Sequence, residues 1–303
     1  MERRHFVHKL ACLSSAAAVA MWPEASDGDD AVADRFPVAI FTKVFQSHTF
    51  DQLAEVVVQT DADGVEATIR RGGHIEAENA EAQIDKLIAA LANRHKRLLI
   101  AATDVNEVNA DSERLLKTLA DHGVSYYRTG YLKYRRGTPM LDQVRGFRQQ
   151  ISELADLNRS LGMTAIYQNH AGKDYVGNLI WDLAILMEGI VPADLGVALD
   201  LRHLRVEIAG SFQAAVEAIR PHLRSVYLKD ALRTGEKGSE LQEVPLGSGM
   251  VTPQLFQDVW RAIQPAPLSV HVEYLGQRPI PVDQNGAVVN AYRRDVATLR
   301  SWM

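Results

Sequence analysis

Leu195-Gly-Val-Ala-Leu-Asp200-Leu-Arg-His203 is an apolar β-run that ends in an acid and passes straight into a basic, helix-like stretch. Five other segments repeat the arrangement: Val65-Glu-Ala-Thr-Ile-Arg70, Tyr126-Tyr-Arg128, Tyr167-Gln-Asn-His170, Tyr227-Leu-Lys-Asp230 and His271-Val-Glu-Tyr274. Each sets polar or charged groups at the end of an apolar run, and a helix-like stretch follows each. In a (β/α)8 barrel the C-terminal ends of all strands open on one mouth, so one site is gathered from many strands. One such segment says little. The set predicts an α/β chain folded as a single-domain TIM barrel.

Outward from these segments, the chain alternates between a period of two and a period near 3.6. Strand-like runs are expected at 37–42, 64–69, 97–103, 124–128, 163–168, 195–199, 225–229 and 268–273. Helical spacing is expected at 50–59, 79–95, 140–161, 181–188, 211–222, 253–263 and 291–302, with another helix capped by Ser112 and closed by Gly123. No change of composition divides the series, which argues against two domains. A doubly wound open sheet would carry a Gly-rich dinucleotide fingerprint after its first strand; none is present, so no nucleotide cofactor is expected.

The chain has 303 residues, ample for a barrel of about 250 residues once a leader is set aside. A net charge of −5 gives no general attraction for polyanions, so nucleic acid is not an expected partner. The single cysteine, Cys12, falls in the leader, which leaves no thiolate metal site in the mature chain. Arg3-Arg4-His5-Phe6 followed by the apolar run Leu10 to Met21 reads as a signal peptide over 1–26, and its paired arginines resemble a twin-arginine export signal. The run is too short to anchor in a bilayer, so the mature chain is expected to be periplasmic or otherwise exported, with no membrane span. Residues 27–36 read as a linker and 37–303 as the barrel.

Residues two apart on a strand share a face. Gln168 and His170 therefore point together, as do Tyr227 and Lys229, and His271 and Glu273. Buried carboxylates such as Asp200 and Glu273 require a cation, a metal or strong donors beside them; a rim salt bridge is the plainer alternative for either one alone. Lys229 next to Asp230 reads equally as a reactive amine or a structural pair. Arg70, Arg71, His74 and Arg128 sit at or just after strands two and four, and an arginine fork suits carboxylates, phosphates or sugar hydroxyls. Tyr126, Tyr127, Tyr131, Tyr134 and Tyr274 are candidates to stack on a pyranose ring. The Pro245–Gly249 loop is a lid or turn whose backbone N–H groups are able to approach a ligand.

Asp63 to Glu66, Gln168-Asn169-His170, Asp200-Leu-Arg-His203, Lys229-Asp230, Pro245 to Gly249 and His271-Val-Glu273 together resemble the xylose-isomerase-like TIM-barrel sugar isomerases and epimerases, a family that also includes the endonuclease IV proteins. The resemblance covers about residues 37 to 302. An exported branch of it carries a similar Arg-Gly-Gly-His stretch (Arg71 to His74) and a similar Tyr-Gln-Asn-His. The resemblance implies a divalent metal (Mn, Mg or Zn) held by Glu, Asp, His and Glu from strands five to eight, with the two Glu moving protons on either side of the substrate carbon. This chain departs from that pattern. Gln168 stands at the first Glu and Tyr227 at the His, so the expected ligands reduce to Asp200, Glu273 and Gln168. A neutral amide is a poor proton acceptor, which damages a two-base mechanism.

The implied function is an exported enzyme that transfers a proton next to the carbonyl of a sugar or keto-sugar. Glu273 would be the base; Lys229, His170 and His203 would be acids or oxyanion donors; Arg70, His74, Arg128, His271 and Asn169 would hold a small carbohydrate. Barrels of this kind often pair, so a homodimer is expected. The alternatives are a non-catalytic sugar-binding barrel, favoured by the two altered ligand positions, and a lyase acting on a modified glycoside. A DNA-repair nuclease would need more His and acidic ligands and a basic surface.

Overall fold

The computed structural model describes residues 36–303 apart from Ala209 and Ala262, so the leader and nearly all of the linker lie outside the described residues. Eight parallel strands close a barrel: β1 (Val38–Phe41), β2 (Gly64–Thr68), β3 (Arg97–Ala102), β4 (Tyr126–Arg128), β5 (Thr164–Gln168), β6 (Leu195–Asp200), β7 (Leu223–Leu228) and β10 (Leu268–Val270), which returns to pair with β1. Around them run α1 (Phe50–Thr60), α2 (Ala80–Ala92), α3 (Ala110–Asp121), α4 (Met140–Leu161), α5 (Trp181–Leu186), α6 (Leu201–Glu207), α7 (Phe212–Ile219), α8 (Pro253–Trp260) and α9 (Gly286–Arg300). Among the described residues no helix is long and apolar enough to cross a membrane.

The apolar side chains sort by strand parity into two clusters. Val38, Ile40, Val65, Ala67, Val197, Leu199, Val226 and Leu228 face outward and pack beneath the helices. Ala39, Ile100, Ile166, Ala198 and Tyr227 face inward and fill the barrel, so the interior is a packed core and not a channel. Each fully buried Val, Leu or Ile in the outer shell stabilises the fold by roughly 1.5–3 kcal/mol. That outer packing pins the register, because a slip of one residue would turn every inward group outward.

Three details differ from the sequence reading. The α3 helix is capped by Asn109, whose side chain accepts from the N–H groups of Asp111 and Ser112; Ser112 is its reciprocal partner, and not the cap itself. The closing helix starts at Gly286, five residues before the expected 291. After β7 an antiparallel hairpin appears, β8 (Asp230–Thr234) with β9 (Glu240–Val244), where no strands were expected.

Candidate active site

The same parity decides what enters the mouth. On β6, inward Ala198 places Asp200 inward as well; on β5, Ile166 does the same for Gln168, and on β7, Tyr227 for Lys229. Past β10, Ser269, His271 and Glu273 alternate with the outward Val270 and Val272. Glu66 lies between outward Val65 and Ala67, and Arg128 follows outward Tyr127.

Asp200 is fully buried and caps α6: its Oδ1 accepts from the His203 N–H at 2.9 Å. Its Oδ2 accepts from Gln168 Nε2 at 2.8 Å, lies 3.3 Å from Lys229 Nζ and 3.7 Å from His203 Nε2. The Lys229 ammonium also donates to Glu273 Oε1 at 2.9 Å. Burial alone would lower the lysine pKa, but Asp200 and Glu273 outweigh it and raise it, so Lys229 is a fixed cation at neutral pH. Burial pushes Glu273 up; Lys229 and His271 outweigh that and hold its carboxyl below the usual range.

Gln168 has only one orientation open to it. Its Oε1 accepts from Arg128 Nη1 at 2.5 Å and from the Tyr131 hydroxyl at 2.6 Å. A guanidinium only donates and an ionised carboxylate only accepts, so the amide must turn its oxygen to Arg128 and its NH2 to Asp200.

Beside this lies a second carboxylate cluster. The fully buried Glu66 accepts from Ser269 Oγ at 2.6 Å and His271 Nε2 at 2.9 Å, and its other oxygen lies 3.2 Å from Arg128 Nε. Burial raises the Glu66 pKa, but Arg128 and His271 outweigh it and hold it at about 2. The Arg128 guanidinium also sits 4.9 Å over the Phe41 ring, which stacks on His271 at 4.5 Å.

Two histidines complete the set. His170 Nδ1 is 2.7 Å from the Ala171 carbonyl, which only accepts, so Nδ1 carries the proton and Nε2 keeps a free lone pair in the neutral ring. Burial holds the His170 pKa below its ordinary value, which keeps that ring neutral near pH 7. Arg202 Nη1 approaches His203 Nδ1 at 3.1 Å, which places the His203 proton on Nε2, facing Asp200. Burial keeps His203 uncharged too. The two rings lie 4.1 Å apart.

A cavity of about 120 Å³ at the mouth gathers Arg70, Arg128, Gln168, His170, Lys229, His271 and Glu273. Asp200 and His203 are buried around Lys229 and His170. Asn169 has a different position from a substrate contact: its amide brackets the Asp200 backbone, accepting from N–H at 2.7 Å and donating to C=O at 3.2 Å. His74 is not brought to the mouth. Its Nε2 bonds the His48 carbonyl at 2.8 Å and its ring lies against Phe50, in a separate pocket.

The tyrosines differ from the expected stacking platform. Tyr131 lines the mouth but is tied by its hydroxyl to Gln168, whereas Tyr127 bonds Asn158 and Tyr134 bonds Asp182. Tyr126 lines a cavity at the opposite, N-terminal end. Asp230 turns away from Lys229 and accepts from the N–H groups of Ala231, Gly247, Gly249 and Val251. The Pro245–Gly249 loop thus directs its N–H groups at a carboxylate of its own chain, and a Cβ on Gly249 would lie 2.3 Å from the Ala231 carbonyl oxygen. Glu66, Lys43 and the hydroxyl of Ser269 were not anticipated as site groups. Glu66 had a signal: an acid between two outward apolar residues of a strand must face the interior and find a cation.

The sequence matches the family described as Xylose isomerase-like TIM barrel over residues 54–287, and the chain belongs to that family. No curated protein matches it. Among solved structures it is similar to a D-psicose 3-epimerase in the presence of D-fructose (TM-score 0.63, 16% identity, covering 88% of this chain and 99% of that one). A 3-keto-D-glucoside 4-epimerase from E. coli has a TM-score of 0.61 at 17% identity, with the same coverage. A xylose isomerase-like TIM barrel protein from Mycobacterium smegmatis in complex with magnesium has a TM-score of 0.62 at 14% identity, covering 87% and 99%. At such identities the likeness establishes the fold.

The arrangement does not fit a divalent ion. The space between Asp200 and Glu273 is bridged by the Lys229 ammonium, and Gln168 presents NH2 where a ligand would present oxygen. Tyr227 is buried in the barrel core against His271. Among the described residues no three His, Cys, Asp or Glu side chains form a metal-binding group. The cation between Asp200 and Glu273 is a lysine.

Proposed function

We propose that the barrel is a sugar-active, isomerase- or epimerase-like enzyme that moves a proton next to the carbonyl of a keto-sugar, with Lys229 as resident cation and His170 as base. One observation carries this reading: a fixed ammonium and an imidazole whose Nδ1, not Nε2, is tied to the backbone belong to side chains that line the same small cavity. A carbonyl oxygen seated at Lys229 would have its developing enolate charge stabilised by the ammonium. His170 Nε2 takes the proton from the adjacent hydroxyl-bearing carbon and returns it to the former carbonyl carbon, while the hydroxyl proton passes to the former carbonyl oxygen, which moves the carbonyl along the sugar without any change of oxidation state overall. Glu273 is the weaker base, since Lys229 and Gln277 occupy its two oxygens and its pKa is lowered; it positions the ammonium.

With one free base, isomerisation is favoured over inversion by two bases, and elimination follows where a leaving group sits next to the carbanion. The likeness to epimerases that bear D-psicose and 3-keto-D-glucoside in their names supports the keto-sugar class. Arg3-Arg4 and the apolar run to Met21 support export. The test is proton NMR of the full chain with a panel of keto-sugars in D2O. The expected result is deuterium entering the carbon beside the carbonyl, slowed about a hundredfold or more in His170→Gln with little change in Tm. Saturable binding with no exchange would replace this reading with a sugar-binding barrel, which the Gln168 and Tyr227 substitutions favour.

A further inference from the structure

Two cations of the mouth have no carboxylate within 4.0 Å among the described residues, although Glu273 acts on Lys43, and Glu66 on Arg70, from farther off. Arg128 pairs with Glu66, and Lys229 with Asp200 and Glu273. Lys43, in the 3-10 turn Thr42–Phe45 after β1, donates only to the neutral Gln277 Oε1 at 3.0 Å. Arg70, just past β2, makes no side-chain hydrogen bond and has no carboxylate within 4.0 Å among the described residues; Asp104 acts on it from beyond that distance. Both side chains line the cavity that holds Lys229 and His170.

The turn that carries Arg70 is closely built. The Arg70 N–H donates to the Ile75 carbonyl at 3.0 Å, and the Gly73 N–H donates back to the Arg70 carbonyl at 2.8 Å. A Cβ on Gly73 would lie 2.7 Å from the Thr68 oxygen and 2.8 Å from the Arg70 oxygen, so only glycine closes this turn. Gln46 staples it to the β1 side, donating to Thr68 Oγ1 at 2.9 Å and to the Gly72 carbonyl at 3.1 Å. Burial, followed by like charges, lowers the pKa of both cations: Lys43 feels Arg70, and Arg70 feels Arg128. An arriving anion would relieve that repulsion, and an arginine fork beside an ammonium matches an oxyanion.

We infer that Lys43 and Arg70 form a subsite for an oxyanion substituent, so that the sugar handled at Lys229 and His170 is an acidic one. This rests on the reading of the mouth as a sugar site. A carboxylate and a phosphate ester share the required chemistry, and the arms of one experiment separate them. Calorimetric titration of the full chain would use D-glucuronate, D-fructose 6-phosphate, D-glucose and D-fructose. One anionic sugar is expected to bind at least about tenfold more tightly than its neutral counterpart. Arg70→Gln should remove roughly ten- to a hundredfold of that affinity while moving neutral-sugar binding less than about threefold, and Arg70→Lys should retain part of the preference. Tighter binding of the uronate identifies a carboxylate; tighter binding of the phosphate identifies a phosphate ester. Equal affinity for charged and neutral sugars, a loss in Arg70→Gln that is equal for both, or no binding of either anion would overturn the subsite. Deuterium exchange on neutral keto-sugars with no anion preference would end the subsite but keep the reaction. Arg70-dependent anion binding without exchange on any sugar would do the reverse.

Discussion

Glu66 and Asp200 are both fully buried carboxylates at the same mouth, yet their surroundings differ in kind. Glu66 is enclosed by Arg128, His271 and Ser269; Arg128 is also held by Gln168 and Phe41, and His271 stacks on Phe41, so both of these partners have a second contact. Both clusters reach the cavity, one through Arg128 and His271 and the other through Lys229, but Asp200 shares its cation with Glu273, whereas among the described residues Arg128 has Glu66 as its one carboxylate within 4.0 Å. A closed cluster stabilises the barrel. A lysine shared between two carboxylates and facing open space is able to meet a substrate oxygen without leaving either charge unpaired.

The largest expected effect comes from breaking the open cluster. Lys229→Met should slow proton exchange by about a thousandfold or more and leave Asp200 and Glu273 repelling each other in a buried site, at a cost of roughly 3–5 kcal/mol. Single-turnover kinetics and chemical denaturation read the two effects separately, and Lys229→Arg should regain stability more than rate.

Breaking the closed cluster should reverse that balance. Glu66→Gln leaves the Arg128 guanidinium buried without its carboxylate and should cost about 3 kcal/mol in denaturant unfolding. Its signature is in the pH dependence. Glu66 has a native pKa of about 2 against an ordinary 4.5, so its stabilisation is complete above pH 4.5 and is lost as the pH falls toward 2. His203, lowered from 6.5, adds an earlier step: the unfolded ring takes up a proton below pH 6.5 while the native ring resists it. Stability of the native sequence should therefore fall in two stages on acidification, and Glu66→Gln should flatten the lower one. An unchanged profile between pH 4.5 and 2 would count against the Glu66 pair.

The smallest effect sharpens the boundary of the site. His74→Ala should leave the rate within about twofold and cost about 1 kcal/mol for its lost bond to the His48 carbonyl. A hundredfold loss of rate would place His74 in the machinery after all.

Much of this was legible because a strand has a period of two. Once Leu195 to Leu199 is read as a strand with a buried outer face, the inward position of Asp200 follows, and the same reasoning places Lys229, Gln168 and Glu273. Glu66 escapes a reading based on strand ends because it sits mid-strand in β2. The orientation of Gln168 depends on Arg128, a partner 40 residues away that no local pattern reveals. The hairpin β8–β9 is largely exposed and polar, so no apolar alternation announces it. His74 follows Arg70 closely in sequence, but the Gly72-Gly73 turn reverses the chain and carries it to another pocket.

The most direct test of the central claim, that an ammonium and not a divalent ion is the cation between Asp200 and Glu273, is deuterium exchange by chelator-treated full chain, with and without added Mg²⁺, Mn²⁺ or Zn²⁺. The account predicts exchange that survives the chelator, does not rise with any of the three ions, and disappears in Lys229→Met. Exchange abolished by the chelator and restored by one of the ions would contradict it.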